Sequence, residues 1–143
     1  PVDVLVIREE GKLKIRISSI NFMPNSAELV AEEQDEELYA KNIRVLDMLA
    51  EKLKKYNTYD IRLEGHAVRV YWDNPERAER EEKEELLPLS LARAETVKRA
   101  LRERGIAAYQ MTTEGLGGTQ PIVPHGDLED RWKNRRVEFI LLK

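Results

Sequence analysis

The stretch Leu89–Leu101, reading L-S-L-A-R-A-E-T-V-K-R-A-L, constrains the fold of this chain most. Leu91, Ala94, Val97 and Leu101 recur at three- and four-residue spacing, so they share one face of a helix, and that face has to be buried. Ser90 stands where an N-cap is wanted, its hydroxyl free to accept an orphan backbone N–H of the first turn, which predicts a helix starting there. Gly105 follows the basic turn of Arg102 and Arg104, where a left-handed residue closes a helix. Arg93 then falls in the first turn, where the helix dipole disfavours a cation. Two readings of it stay open: a guanidinium that is solvated or paired with an acid such as Glu95, and one held for a carboxylate arriving from outside.

What such a helix can pack against is bounded by size and composition. At 143 residues, with 41% hydrophobic and 36% charged residues, the chain is expected to form one heavily charged domain with a core of its own. A net charge of −3 without a basic stripe gives no footprint for nucleic acid. The absence of cysteine excludes disulfides and thiolate metal sites. No apolar run approaches the roughly 18 residues of a membrane span, and no signal peptide is seen. The chain opens on Pro1, so it is expected to be part of a longer protein whose export signal or anchor lies elsewhere.

Alternation supplies the strands. Residues 2–7 and 13–17 flank Gly11, and Leu13, Ile15 and Ile17 face away from Lys14 and Arg16, which predicts a β-hairpin. The second strand is expected to run on through Ile20–Phe22 until Pro24. From about Glu33 to Tyr56 the period is helical, with Leu38, Val45, Leu49 and Leu53 in one stripe and Asn42 as a polar residue at its boundary. Ile61–Gly65 and Tyr109–Thr113 read as short strands. Val137–Leu142 is almost continuously apolar, as a central strand or one covered on both faces would be. Strand–helix–strand order with a long crossover requires parallel pairing somewhere in the sheet.

Catalytic signatures are lacking: there is no G-x-S-x-G elbow, P-loop, H-E-x-x-H or catalytic cysteine. His66 and His125 have no partners at metal-site spacing, and His66, at a strand end, reads as a structural hydrogen-bonding residue. Gly115–Gly118 reads as turn glycines, because no helix follows and Pro121 comes soon after. No enzyme activity, cofactor or metal is expected.

Taken in order, Gly65-His66, the L-S-x-x-R-A helix, Gly105-Ile106, G-L-G-G-T-Q-P at Gly115–Pro121 and N-R-R-V-E at Asn134–Glu138 resemble the OmpA-like (OmpA/MotB) C-terminal domain over roughly residues 12–143. The resemblance implies an α/β fold with a mixed sheet, ordered β-hairpin, α, β, α, β, short helix within about 127–133, β, with helices packed on the sheet. It implies a periplasmic module of the bacterial envelope that binds the peptidoglycan stem peptide, whose diaminopimelate carries an ammonium and a carboxylate. By position, Arg93 matches the family's carboxylate-binding arginine, and Arg135 and Arg136 match the N-R-R pair, one of which lies near the groove while the other is structural.

The chain departs from the family in three places. Gly65-His66-Ala67-Val68 stands where the family has G-H-T-D, so Val68 occupies the position of the ammonium-binding aspartate. Leu86 occupies the position of a family asparagine. Residues 69–88 look like a charged insertion: Arg69 to Glu85 holds seven acids and four bases, and Pro75 is placed to open a short solvated helix. Val70, Tyr71 and Trp72 either pin the insertion to the domain or form a lip over the groove. Three functional readings follow. The insertion supplies the missing carboxylate, from Asp73 or Glu76; or the chain takes an altered stem peptide; or the module no longer binds diaminopimelate and serves in structure or in contact with other envelope proteins.

Overall fold

The computed structural model describes residues 4–143. Five strands, β1 (Val4–Glu9), β2 (Lys12–Ile17), β3 (Asp60–Gly65), β4 (Met111–Gly115) and β5 (Val137–Leu142), form one sheet in the order β1-β2-β5-β3-β4. β3 and β4 are parallel and the other neighbours antiparallel, so the sheet is mixed, as the strand–helix–strand order requires. Residues 2 and 3 of the expected first strand lie outside the described residues. The hairpin turns at Glu10 and Gly11, whose φ values of 53° and 76° are those of the tight turn that matches strand twist.

Alternation sorts the sheet into two unlike faces. On one, Ile15 and Leu63 flank Phe139 in register, and helices α1 (Glu36–Leu53) and α3 (Leu87–Glu103) bury Leu49 and Val97 against them. Full burial of each such side chain is worth about 1.5–3 kcal/mol. On the other face Arg16, Glu138 and Glu64 stand side by side in register across β2, β5 and β3. The apolar run of β5 therefore reflects a central position, with Ile140 fully buried between the stems of Lys14 and Arg62.

Three local expectations are corrected. The strand expected through Phe22 stops at Ile17; Phe22 makes only a single bridge to Leu29 in a compact loop. Asn42 holds that loop: it is buried, accepts the Asn21 N–H at 2.7 Å and donates to the Asn21 carbonyl at 2.8 Å. Ser90 is no N-cap, because the helix already begins at Pro75. Asn74 caps α2 (Pro75–Glu81) by accepting the Arg77 N–H at 3.2 Å, and a π-helical turn at Glu82–Leu86 joins α2 to α3 without a break. The Leu87 N–H reaches back to the Glu82 carbonyl, the wide spacing of such a turn, and Pro88 follows where it lacks an N–H to contribute.

The remaining elements sit close to expectation. Gly105 closes α3 at φ 99°, β4 starts two residues later than Tyr109, and the short helix is a 3₁₀ turn at Arg131–Asn134.

Candidate functional site

A groove of about 820 Å³ opens at the end of the sheet where β3 finishes. The loop after β2 contributes Phe22 and Asn25, and the segment after β3 contributes Val68, Val70 and Tyr71. The continuous helix supplies Glu81, Glu85, Leu86, Leu89 and Arg93, and Arg135 comes from the approach to β5.

Arg93 is only 8% exposed. Its Nε donates to the Ser26 carbonyl at 2.9 Å, and its guanidinium lies 4.9 Å from the centre of the Phe22 ring. Among the described residues no carboxylate pairs with it, Glu95 included. Burial, and then the positive charge of Arg135, push its pKa down to about 10. Arg135, exposed at the groove's edge, is itself held below the ordinary arginine value, by the partial loss of water around it and by Arg131. Two guanidiniums thus face one groove, and among the described residues neither is paired with a carboxylate. An anion placed there gains charge-assisted hydrogen bonds from both, and a planar carboxylate suits the donor fork.

The helix-dipole reasoning for Arg93 does not survive, since with α2 and the π turn ahead of it Arg93 sits mid-helix. The cation is held there by the Ser26 carbonyl and the Phe22 ring instead.

Of the N-R-R pair, Arg135 is the one at the groove and Arg136 the structural one. Arg136 is buried, donates from Nε to Glu138 at 2.6 Å, and reaches the Gln120 carbonyl at 2.9 Å. Val68 and Leu86, 6% and 7% exposed, form apolar wall. Asp73 and Glu76, the expected substitutes, are exposed and do not border the groove. Asp73 lies in the turn before α2 and Glu76 in its first turn; the acids that do border it, Glu81 and Glu85, lie farther along. Val70 and Tyr71 form a lip, while Trp72 packs on Gly126 on the far side of the insertion.

The groove walls are fastened to each other. The Glu81 carboxylate accepts the backbone N–H groups of Val70 at 2.9 Å and Tyr71 at 3.2 Å. Glu82 accepts from Gly118 N–H and from Arg69 Nε, both at 2.9 Å. Ser90 Oγ accepts the Gly117 N–H at 2.9 Å and donates to the Leu87 carbonyl at 3.1 Å. A Cβ on Gly117, at φ 55°, would overlap the Glu82 carboxylate. His125 bridges the same loops, accepting the Arg69 N–H at Nδ1 and donating from Nε2 to the Gly118 carbonyl. Residues 69–88, expected to be an insertion, therefore form an integral wall of the groove.

His66 differs from expectation. Its ring is buried and neither nitrogen makes a hydrogen bond among the described residues. Burial and then Arg136 push its pKa down to about 3, against the opposing pull of Glu138. Glu64, His66 and Glu138 place one ligand atom each within 4.8 Å of one another. The set is poorly suited to a cation, because Arg16, Arg62 and Arg136 already engage the two carboxylates.

Glu81, Glu85 and the true partners of Ser90 escaped the sequence reading. Acids occur throughout the insertion, and no residue pattern announces the wide helical turn that aims them.

Comparison with known proteins places this geometry. Over 55 residues the chain is 44% identical to the peptidoglycan-binding protein ArfA of Mycobacterium tuberculosis, covering 38% of this chain and 17% of that protein. Over 90 residues it is 39% identical to outer membrane protein Omp38 of Acinetobacter baumannii, covering 62% of this chain and 22% of Omp38. The chain thus spans less than a quarter of these relatives. Among solved structures, a MotB-like protein from Desulfovibrio vulgaris superposes with a TM-score of 0.74 at 26% identity, covering 98% of this chain and 81% of that one. The cell wall anchor of the T6SS from Pseudomonas aeruginosa superposes at 0.71 and 24% identity, a likeness of fold, covering 97% and 87%. The sequence model of the OmpA family matches residues 21–135, a span running from the loop beneath Arg93 to Arg135 itself, and the chain belongs to that family.

Proposed function

We propose that this chain is a non-catalytic, periplasmic module of the bacterial envelope that binds the peptidoglycan stem peptide in the groove between Arg93 and Arg135. One observation carries the reading: a buried guanidinium and a second one beside it face a cavity, and among the described residues neither is paired with a carboxylate. The kinship with ArfA, named for peptidoglycan binding, and the fold shared with a cell wall anchor support the choice of ligand. In this reading the guanidiniums take a carboxylate of the diamino acid, Val68 replaces the family's ammonium-binding aspartate, and residues 1–143 are one domain of a longer, tethered protein.

The test is co-sedimentation with purified sacculi. Each charge-assisted contact is worth about 1.5–3 kcal/mol, so Arg135→Ala should weaken retention about ten- to a hundredfold. Arg93→Ala should abolish it, at a stability cost of about 1 kcal/mol for the lost bond to Ser26. If the unsubstituted chain is not retained, the groove serves protein contact instead, a use its apolar wall of Val68, Val70, Tyr71, Leu86 and Leu89 would suit.

A further inference from the structure

The groove lining carries both signs of charge. Beside the guanidiniums of Arg93 and Arg135 it holds the carboxylates of Glu81 and Glu85, so those four side chains are formally neutral in sum. The two acids are not equivalent. Glu81 is buried and spends its oxygens on the backbone N–H groups of Val70 and Tyr71. Glu85 is exposed, and among the described residues it makes no hydrogen bond or ion pair, although Lys83 pairs with Glu79 only one turn away.

The π turn puts Glu85 there. In an α-helix, residues four apart drift about 40° round the axis at each step, so three such steps from Glu81 to Arg93 would separate them by about 120°. The wider turn at Glu82–Leu86 takes up an extra residue and swings Glu81 and Glu85 back toward the face of Leu89 and Arg93.

We infer that Glu85 is the specificity-determining carboxylate of this groove: it takes the ammonium of a ligand whose carboxylate lies against Arg93 and Arg135. The inference rests on the stem-peptide reading above and deepens it. A purely anionic ligand satisfies one end and is repelled at the other, whereas a zwitterionic diamino acid satisfies both. Selectivity for the ammonium thereby comes from the helix that begins at Pro75, with Val68 and Leu86 left as apolar wall.

The experiment is calorimetric titration of meso-diaminopimelate and of pimelate, which has the carboxylates but no amines, into the unsubstituted chain, Glu85→Gln and Arg135→Ala. Glu85→Gln should weaken diaminopimelate about tenfold or more and leave pimelate unweakened, whereas Arg135→Ala should weaken both. A double variant, Glu85→Gln with Val68→Asp, should recover diaminopimelate by restoring a carboxylate across the groove. Equal diaminopimelate affinity in the unsubstituted chain and Glu85→Gln, with Arg135→Ala still weakened, overturns the role of Glu85 and leaves the stem-peptide reading standing. No diaminopimelate binding by the unsubstituted chain overturns both. Thermal unfolding of Glu85→Gln serves as the folding control, and at an exposed position no shift is expected.

Discussion

Two clusters of arginine lie close together in this domain and are treated in opposite ways. On the polar face of the sheet, Glu138 accepts from Arg16 at 2.7 Å and from Arg136 at 2.6 Å, and Glu64 accepts from Arg62 at 2.9 Å. Burial pushes the Glu138 carboxyl up, and the bonds and charges of Arg136 and Arg16 outweigh it and hold it below the ordinary carboxylate range. In the groove, Arg93 has a backbone carbonyl and an aromatic ring, and among the described residues no paired acid. A cation that a fold needs for itself is neutralised internally; one left without an anion costs stability and is retained where something else arrives to complete it. The contrast separates Arg136 from Arg135, adjacent residues of one motif.

The contrast breaks most visibly at Glu138. Glu138→Gln strands Arg136 and Arg16 without their anion and should cost about 3–5 kcal/mol, measured by chemical denaturation. Next in size is the pH dependence set by His66, whose pKa falls from an unfolded value near 6.5 to about 3. Between those values the unfolded chain holds the extra proton, so the stability is fully present above about pH 6.5 and drains away as pH falls toward 3. The slope should be about 1 kcal/mol per pH unit, and His66→Leu should flatten that part of the curve. The smallest effect is expected at Arg135. Arg135→Ala removes an exposed cation that repels Arg93 and makes no ion pair among the described residues, so stability should stay within about 0.5 kcal/mol while ligand retention falls. A large loss of stability there would mean that the groove arginines are structural after all.

Periodicity made most of the architecture readable. The stripe of Val45, Leu49 and Leu53 announces α1, the alternation of Leu13, Ile15 and Ile17 announces β2, and the apolar run of β5 announces a strand in the middle. Ser90 misled because a serine just before an apolar period looks like an N-cap whether or not helix precedes it. Here the preceding helix is polar, so it shows no stripe, and Pro88 suggests a start where there is a wide turn. In the site, the ordered motifs led to Arg93 and Arg135, but which acids line the groove with them depended on the phase of that turn. Asp73 and Glu76 carry carboxylates just as Glu85 does, and only the path of the chain tells them apart.

The strand order has a consequence for biosynthesis. The hairpin of β1 and β2 and the parallel pair of β3 and β4 meet in the sheet only through β5, the last of these five strands to be translated. A ribosome that has passed residue 130 has produced both halves of the sheet and nothing to splice them, with Ile17 and Leu63 each still lacking a neighbour on that side. Completion of the sheet waits for the segment through Leu142, which also delivers Arg135. Assembly of the domain and the arrival of its second groove cation are thus late and nearly simultaneous events.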